Sequence, residues 1–179
     1  MEKMSGEERR KMIVDALKKA TTPITGKEFA DRANVSRQVI VTDVALLKTA
    51  NEPIIATNRG YIYLQEQDTE KTVRRVIACQ HSKEEAKAEL EIIVDCGVTV
   101  VDVIVEHPIY GELTGNLHIS SRYDVDQFIE TMEENEAALL SKLTAGIHLH
   151  TLEADQMDKI DLACKELEAA GFLYIEAME

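Results

Sequence analysis

The sequence predicts an α+β protein in two parts: an N-terminal winged helix-turn-helix, then an α+β domain on a mainly antiparallel or mixed sheet. Three observations carry this. Residues 7–48 hold three short stretches of helical periodicity separated by turn signals. Residues 53–64 hold two β-rich runs about Asn58-Arg59-Gly60, a hairpin signature. Residues 72–179 then alternate strand-like and helix-like segments, with a hairpin pattern and fewer parallel crossovers than a doubly wound fold needs.

Met12, Ile13, Ala16, Leu17 and Ala20 make the first apolar stripe, stopped by Thr21-Thr22-Pro23. Residues 25–48 read as two short helices joined by a tight turn, the second opened by Ser36 as N-cap. On a wheel, Val39, Ile40, Val44, Leu46 and Leu47 fall on one side of that second helix. Arg37, Gln38, Val41, Thr42, Ala45 and Lys48 fall on the other. Such an outer face suits a DNA major groove. Arg pairs with guanine, Gln with adenine, and Val or Thr methyl groups meet the thymine methyl. Ser36, Arg37, Gln38, Val41, Thr42 and Lys48 are therefore candidate DNA contacts, with Arg59 at the wing tip placed to reach phosphate or minor groove. Asp43 falls on the apolar side, where a carboxylate needs hydrogen-bond partners and a structural role is expected.

Polar, periodless residues 65–71 read as a linker between domains at 1–66 and 72–179. After it come a strand at 73–80 and a helix from the Ser82 cap to about Asp95, with Glu85 at the capping-box position. Strands at 99–105 and 112–119 flank the turn 107–111. A helix at about 125–140, a strand at 147–152, a helix at 155–169 and a strand at 172–175 complete the pattern. The acidic run 130–136 reads as a solvated helix face.

The net charge of −13 argues against a nucleic-acid partner until it is divided. Residues 1–64 carry 11 Lys and Arg against 8 Asp and Glu, whereas residues 65–179 carry 9 against 25. The N-terminal part is mildly basic and the remainder strongly acidic, so DNA contact is expected of the first part alone. Three cysteines without a CxxC spacing fit free thiols in a reducing cytosol. No apolar run approaches a membrane span and no signal-peptide pattern follows the charged start, so a cytoplasmic protein is expected.

His148 and His150 sit two apart on a strand, so both rings project from one face. The pair suits a metal, and suits equally a half-buried strand with two hydrogen-bonded histidines. Further ligands must come from elsewhere. His81 ends an earlier strand, and Glu89 borders the apolar stripe of Ala86, Leu90 and Ile93, where it can face the fold. Cys79 shares the strand face of His81, but buried packing is the more ordinary use of a cysteine there, as at Cys96 and Cys164. The turn His107–Glu112 collects His107 and Tyr110, candidates for effector contact or for a plain hairpin connection. His118 has only a structural reading.

The segment Val35–Asp43 with the hairpin Asn58–Tyr63 resembles the helix-turn-helix of biotin-repressor-like regulators. Ala78–His81, Asp102–Glu112 and Gly146–Thr151 resemble the 3H domain, and both halves together resemble the NiaR family of bacterial repressors over essentially the full length. That resemblance implies a repressor of niacin-uptake and NAD-synthesis genes with nicotinic acid as co-repressor. It also implies a divalent metal such as Ni or Zn, held by residues that map to His81, Glu89, His148 and His150. A homodimer on a palindromic double-stranded operator is the expected working form. Two other readings stay open: a regulator for which the ion itself is the signal, and, less favoured, a metal-dependent enzyme acting on pyridine compounds.

Overall fold

The computed structural model describes residues 4–64, 72–134 and 139–174. The expected linker 65–71, residues 135–138 of the expected helix and acidic run, and Ile175 of the last expected strand lie outside the described residues. The chain divides into two compact units, Met1–Thr69 and Glu70–Glu179, each with its own apolar core.

In the first unit α1 (Gly6–Lys19) starts at Ser5, which exchanges capping bonds with Glu8. Thr25 caps α2 (Gly26–Ala33), and Asn34, in the left-handed conformation, ends it. Helix α3 (Arg37–Thr49) follows, then the hairpin of β1 (Ile54–Thr57) and β2 (Gly60–Tyr63). Ile24 bridges Tyr61 as a third short strand. Gly60 permits this approach: at φ +134 a side chain would sit 2.6 Å from the Ile24 carbonyl oxygen. Ile13, Leu17, Phe29, Ile40 and Val44 fill the core. Asp43, 2% exposed among them, accepts two bonds from the Arg9 guanidinium, tying α3 to α1. The buried stripe of α3 is narrower than half the helix, comprising Ile40, Asp43, Val44 and Leu47. Leu46, expected on the inner side, lies at its edge and is 48% exposed, and Val39 is only half-buried.

The second unit runs β3 (Val73–Gln80), α4 (Ala86–Asp95), β4 (Thr99–His107), β5 (Gly111–Ile119), α5 (Arg122–Glu134), β6 (Ile147–Ala154) and α6 (Met157–Ala169). The named strands form one antiparallel sheet in the order β3-β6-β4-β5. Its helix-packed face supplies Ile77, Val100, Ile119 and Leu152 to a core shared with Leu90, Ile93, Ile160 and Leu167.

Several boundaries differ from expectation. The Ser82–Glu85 capping box is present, but the chain first makes one tight 3-10 turn, Lys83–Glu85, before α4. Helix α5 begins at Arg122 because Asp124 accepts from the main-chain N–H groups of Ser120 and Ser121. Leu140, expected to end that helix, instead opens a separate 3-10 turn, Leu140–Thr144. The described part of the expected last strand, Phe172–Tyr174, runs along the edge of β3 as a single bridge, held by Gln80 N–H to Phe172 and Tyr174 N–H to Ala78.

Candidate functional site

Glu89 occupies a core position on α4, where Ala86, Glu89, Leu90, Ile93 and Val94 make one buried stripe. It is 1% exposed and faces three imidazoles. His81 Nε2 lies 2.6 Å and His150 Nε2 3.5 Å from its Oε2, and His148 Nε2 lies 3.4 Å from its Oε1. The structure thus gathers His81 from the loop after β3, Glu89 from α4, and His148 and His150 from β6 into one buried cluster. Strand alternation does half of this: every second residue of β6 from His148 to Ala154 is buried.

The other ring nitrogens settle the protonation pattern. His81 Nδ1 bonds the Ser82 carbonyl at 2.7 Å, His148 Nδ1 that of Gly146 at 2.8 Å, and His150 Nδ1 that of Asp102 at 2.6 Å. A carbonyl only accepts, so each Nδ1 carries a proton and each neutral ring turns its Nε2 lone pair toward Glu89. Lone pairs then face a carboxylate, an arrangement that holds only with positive charge between them. Protons can supply that charge. Burial disfavours the charged forms of His81 and His150, yet the nearby Glu89 outweighs it and both are raised above the ordinary imidazole value. Burial likewise opposes ionised Glu89, and the imidazoles nevertheless hold it well below the usual carboxylate range. A divalent cation is the other source. Three nitrogens and an oxygen suit Zn or Ni, each ring is oriented through a carbonyl as metal-ligating histidines are, and Glu89 Oε1 is buried with no hydrogen-bond partner. The residues present fit such an ion.

Beside the cluster opens a small pocket of about 40 Å³. The imidazoles and Glu89 form its polar end. Leu90, Val103, Leu117, Phe128, Leu139 and Leu140 form apolar walls, and Ser141 is a further polar lining residue. Gly146 keeps the histidines together: at φ +91 its missing side chain would sit 2.7 Å from the His81 carbonyl oxygen. Asp102 was not singled out in the sequence. A shift in the β4–β6 register between Val100 and Ile104 brackets Asp102, whose carbonyl meets His150 while its carboxylate accepts from Thr151 N–H. Nothing in local periodicity marks such a residue. His107 and Tyr110 do not line this pocket; they stack at the β4–β5 turn, where the His107 Nδ1 accepts from the N–H groups of Ile109 and Tyr110. His118 adopts φ +52 where the β4–β5 register shifts.

In the first unit Ser36, Arg37, Gln38, Val41, Thr42 and Lys48 are all exposed along α3. The Ser36 hydroxyl makes no capping bond, although the residue has N-cap geometry. Arg37 packs against Gly26 at the start of α2, and both border a groove that includes Lys27 and Arg59. Arg59 is half-buried in the wing turn.

Comparison with known proteins gives a consistent picture. Residues 74–176 match the 3H domain family, and residues 9–62 match an HTH domain family. The chain is 48% identical over 172 residues to the transcription repressor NadR of Bacillus subtilis, covering 96% of each. It is 41% identical over 170 residues to the probable transcription repressor NiaR of Thermotoga maritima, covering 95% of each.

Proposed function

From the premise that the chain belongs to the family of 3H-domain transcription repressors with an N-terminal helix-turn-helix, we propose that it represses niacin-uptake or NAD-synthesis genes when nicotinic acid or a related pyridine occupies its 3H domain. The observation that carries the effector part is an apolar slot ending in a buried His81–Glu89–His148–His150 cluster. A flat aromatic acid matches it: the ring meets Leu and Phe walls while a polar atom meets the charged end. A divalent ion such as Zn or Ni, held by the same four residues, would supply Lewis-acid attraction for that atom. The other face of the function is α3, whose exposed Arg37 and Gln38 are suited to read base edges, while Ser36, Lys48 and Arg59 are suited to phosphate. A homodimer would present two such helices to a palindromic operator. Among the described residues no helix is long and apolar enough to cross a membrane.

Depth of burial favours one alternative, in which the ion alone is the signal: Glu89, His148 and His150 are each at most 3% exposed. Operator binding measured with nicotinic acid, nicotinamide and benzoic acid, with and without metal, separates the two. The proposal expects tighter binding with nicotinic acid in metal-loaded protein only. A full nicotinate response after chelation removes the metal from it. Silence toward every pyridine removes the effector, and a response to the ion alone selects the alternative.

A further inference from the structure

Cys79 stands beside this cluster, and the proposed function leaves it unused. It is 0% exposed on β3 and lies opposite His148 of β6 in the ladder, both facing the helices. Its Sγ, a carboxylate oxygen of Glu89 and a ring nitrogen of His148 all lie within 4.8 Å of one another. Small side-chain rotations bring donors at that separation onto a single ion. We propose, resting on the metal reading above, that Cys79 is a fifth donor that binds the ion as a thiolate.

Charge supports the assignment as strongly as distance. Three neutral imidazoles, one carboxylate and a divalent cation sum to a single positive charge beside Leu90, Leu117 and Phe128. An uncompensated charge in such surroundings is costly. A thiolate brings the buried site to neutrality. On metal binding the S–H bond breaks, the sulfur gives its electron pair to the cation, and the proton passes to solvent; a divalent metal deprotonates a coordinating thiol outright. The set His81, Cys79, Glu89, His148 and His150 then disfavours hard ions such as Mg²⁺ and selects borderline ones, because thiolate is a soft donor.

Cobalt(II) reads this directly in the full-length protein, since a cobalt–thiolate bond gives a near-ultraviolet charge-transfer band beside the visible d–d bands. The expected result is both sets of bands in the native chain and in a Cys96→Ser/Cys164→Ser variant, where Cys79 is the only remaining thiol. Cys79→Ser should keep d–d bands, lose the near-ultraviolet band and bind Co²⁺ roughly 10–100-fold more weakly or worse. If that variant fails to fold, the spectrum of the Cys96/Cys164 double variant decides alone. Cobalt d–d bands without a thiolate band in native protein overturn the role of Cys79 and leave the four-residue site standing. No cobalt spectrum at all overturns both.

Discussion

Replacing Glu89 with Gln should have opposite consequences with and without metal. In native protein the carboxylate sits 1% exposed at a position of α4 that its stripe would otherwise give to an apolar residue. A metal-free site must therefore carry a buried charge, compensated only by protonated imidazoles. Gln has the same shape, removes the charge, and offers an N–H to an imidazole Nε2. At a pH where the imidazoles are neutral the carboxylate is a buried charge without a counterion, which is costly, so there metal-free Glu89→Gln should melt at the native temperature or above it. With metal the order reverses. An ion at 100 times its Kd stabilises the folded unit by about 2.7 kcal/mol. For the roughly 110 residues of Glu70–Glu179, unfolding entropy near 2.1 cal/mol/K per residue converts this to a rise of about 12 °C. Scanning calorimetry with added Zn²⁺ or Ni²⁺ should show that rise in native protein and almost none in Glu89→Gln. A metal-free variant destabilised by several kcal/mol would refute the reasoning: the carboxylate would then be one half of a structural ion pair with imidazolium.

Three further outcomes are expected. Metal-free and metal-loaded protein should respond to pH in opposite directions: the raised His81 and His150 contribute stability below their unfolded value of about 6.5 that is lost as pH rises through their folded values, whereas the ion is released as pH falls and its ligands protonate. Melting temperatures from pH 6 to 9, with and without metal, check both signs. Asp43→Ala leaves the Arg9 guanidinium buried without its carboxylate, a loss of about 3–5 kcal/mol, comparable to the roughly 3–9 kcal/mol a unit of that size has in all; operator binding should collapse while metal uptake by the second unit persists. Arg37→Ala should cost about 1–3 kcal/mol on operator and much less on random DNA, and equal losses in a competition assay would reassign Arg37 to phosphate.

What was legible in the sequence was what short-range physics dictates. Ser82 and Glu85 form a capping box because a hydroxyl just before an apolar stripe has orphan N–H groups to meet. Asn58-Arg59 turns a hairpin, and His148 and His150 share a face because strand side chains alternate. The losses have equally physical causes. Leu46 is apolar enough for a core, but only the four-residue stripe from Ile40 to Leu47 meets α1 and α2, so a half-cylinder wheel overcounts. Residues 140–144 continue the apolar pattern of the preceding helix, so periodicity alone hides the 3-10 turn that walls the pocket. The early start of α5 is carried by Ser121 and Asp124, a capping pair whose signal is weaker than that of the apolar stripe beginning at Val125. Asp102 is different in kind. Its carbonyl meets a ring 48 residues away through a register shift, and long-range register has no local signature.

The same buried carboxylate links fold to response. Glu89 makes the metal-free core of the second unit costly, and every remedy the structure offers is a cation, whether a proton on His81 or His150 or a divalent ion among all three rings. Protons and metal therefore compete for one site, and an anion arriving in the adjoining pocket discriminates between them. A divalent ion would offer it direct coordination, which an imidazolium already held by Glu89 does not. An effector shifts a conformational equilibrium only by its differential affinity for the states. On this reasoning a bound metal would do more than hold the domain together: it would make a carboxylate-bearing pyridine distinguishable from its neutral amide. The decisive comparison is nicotinic acid against nicotinamide in metal-loaded and metal-free protein, by isothermal calorimetry. A preference for the acid of tenfold or more, about 1.4 kcal/mol, should appear with metal and shrink without it. An equal preference in both states would place the discrimination in the pocket walls, at Ser141 or its neighbours, and not in the ion.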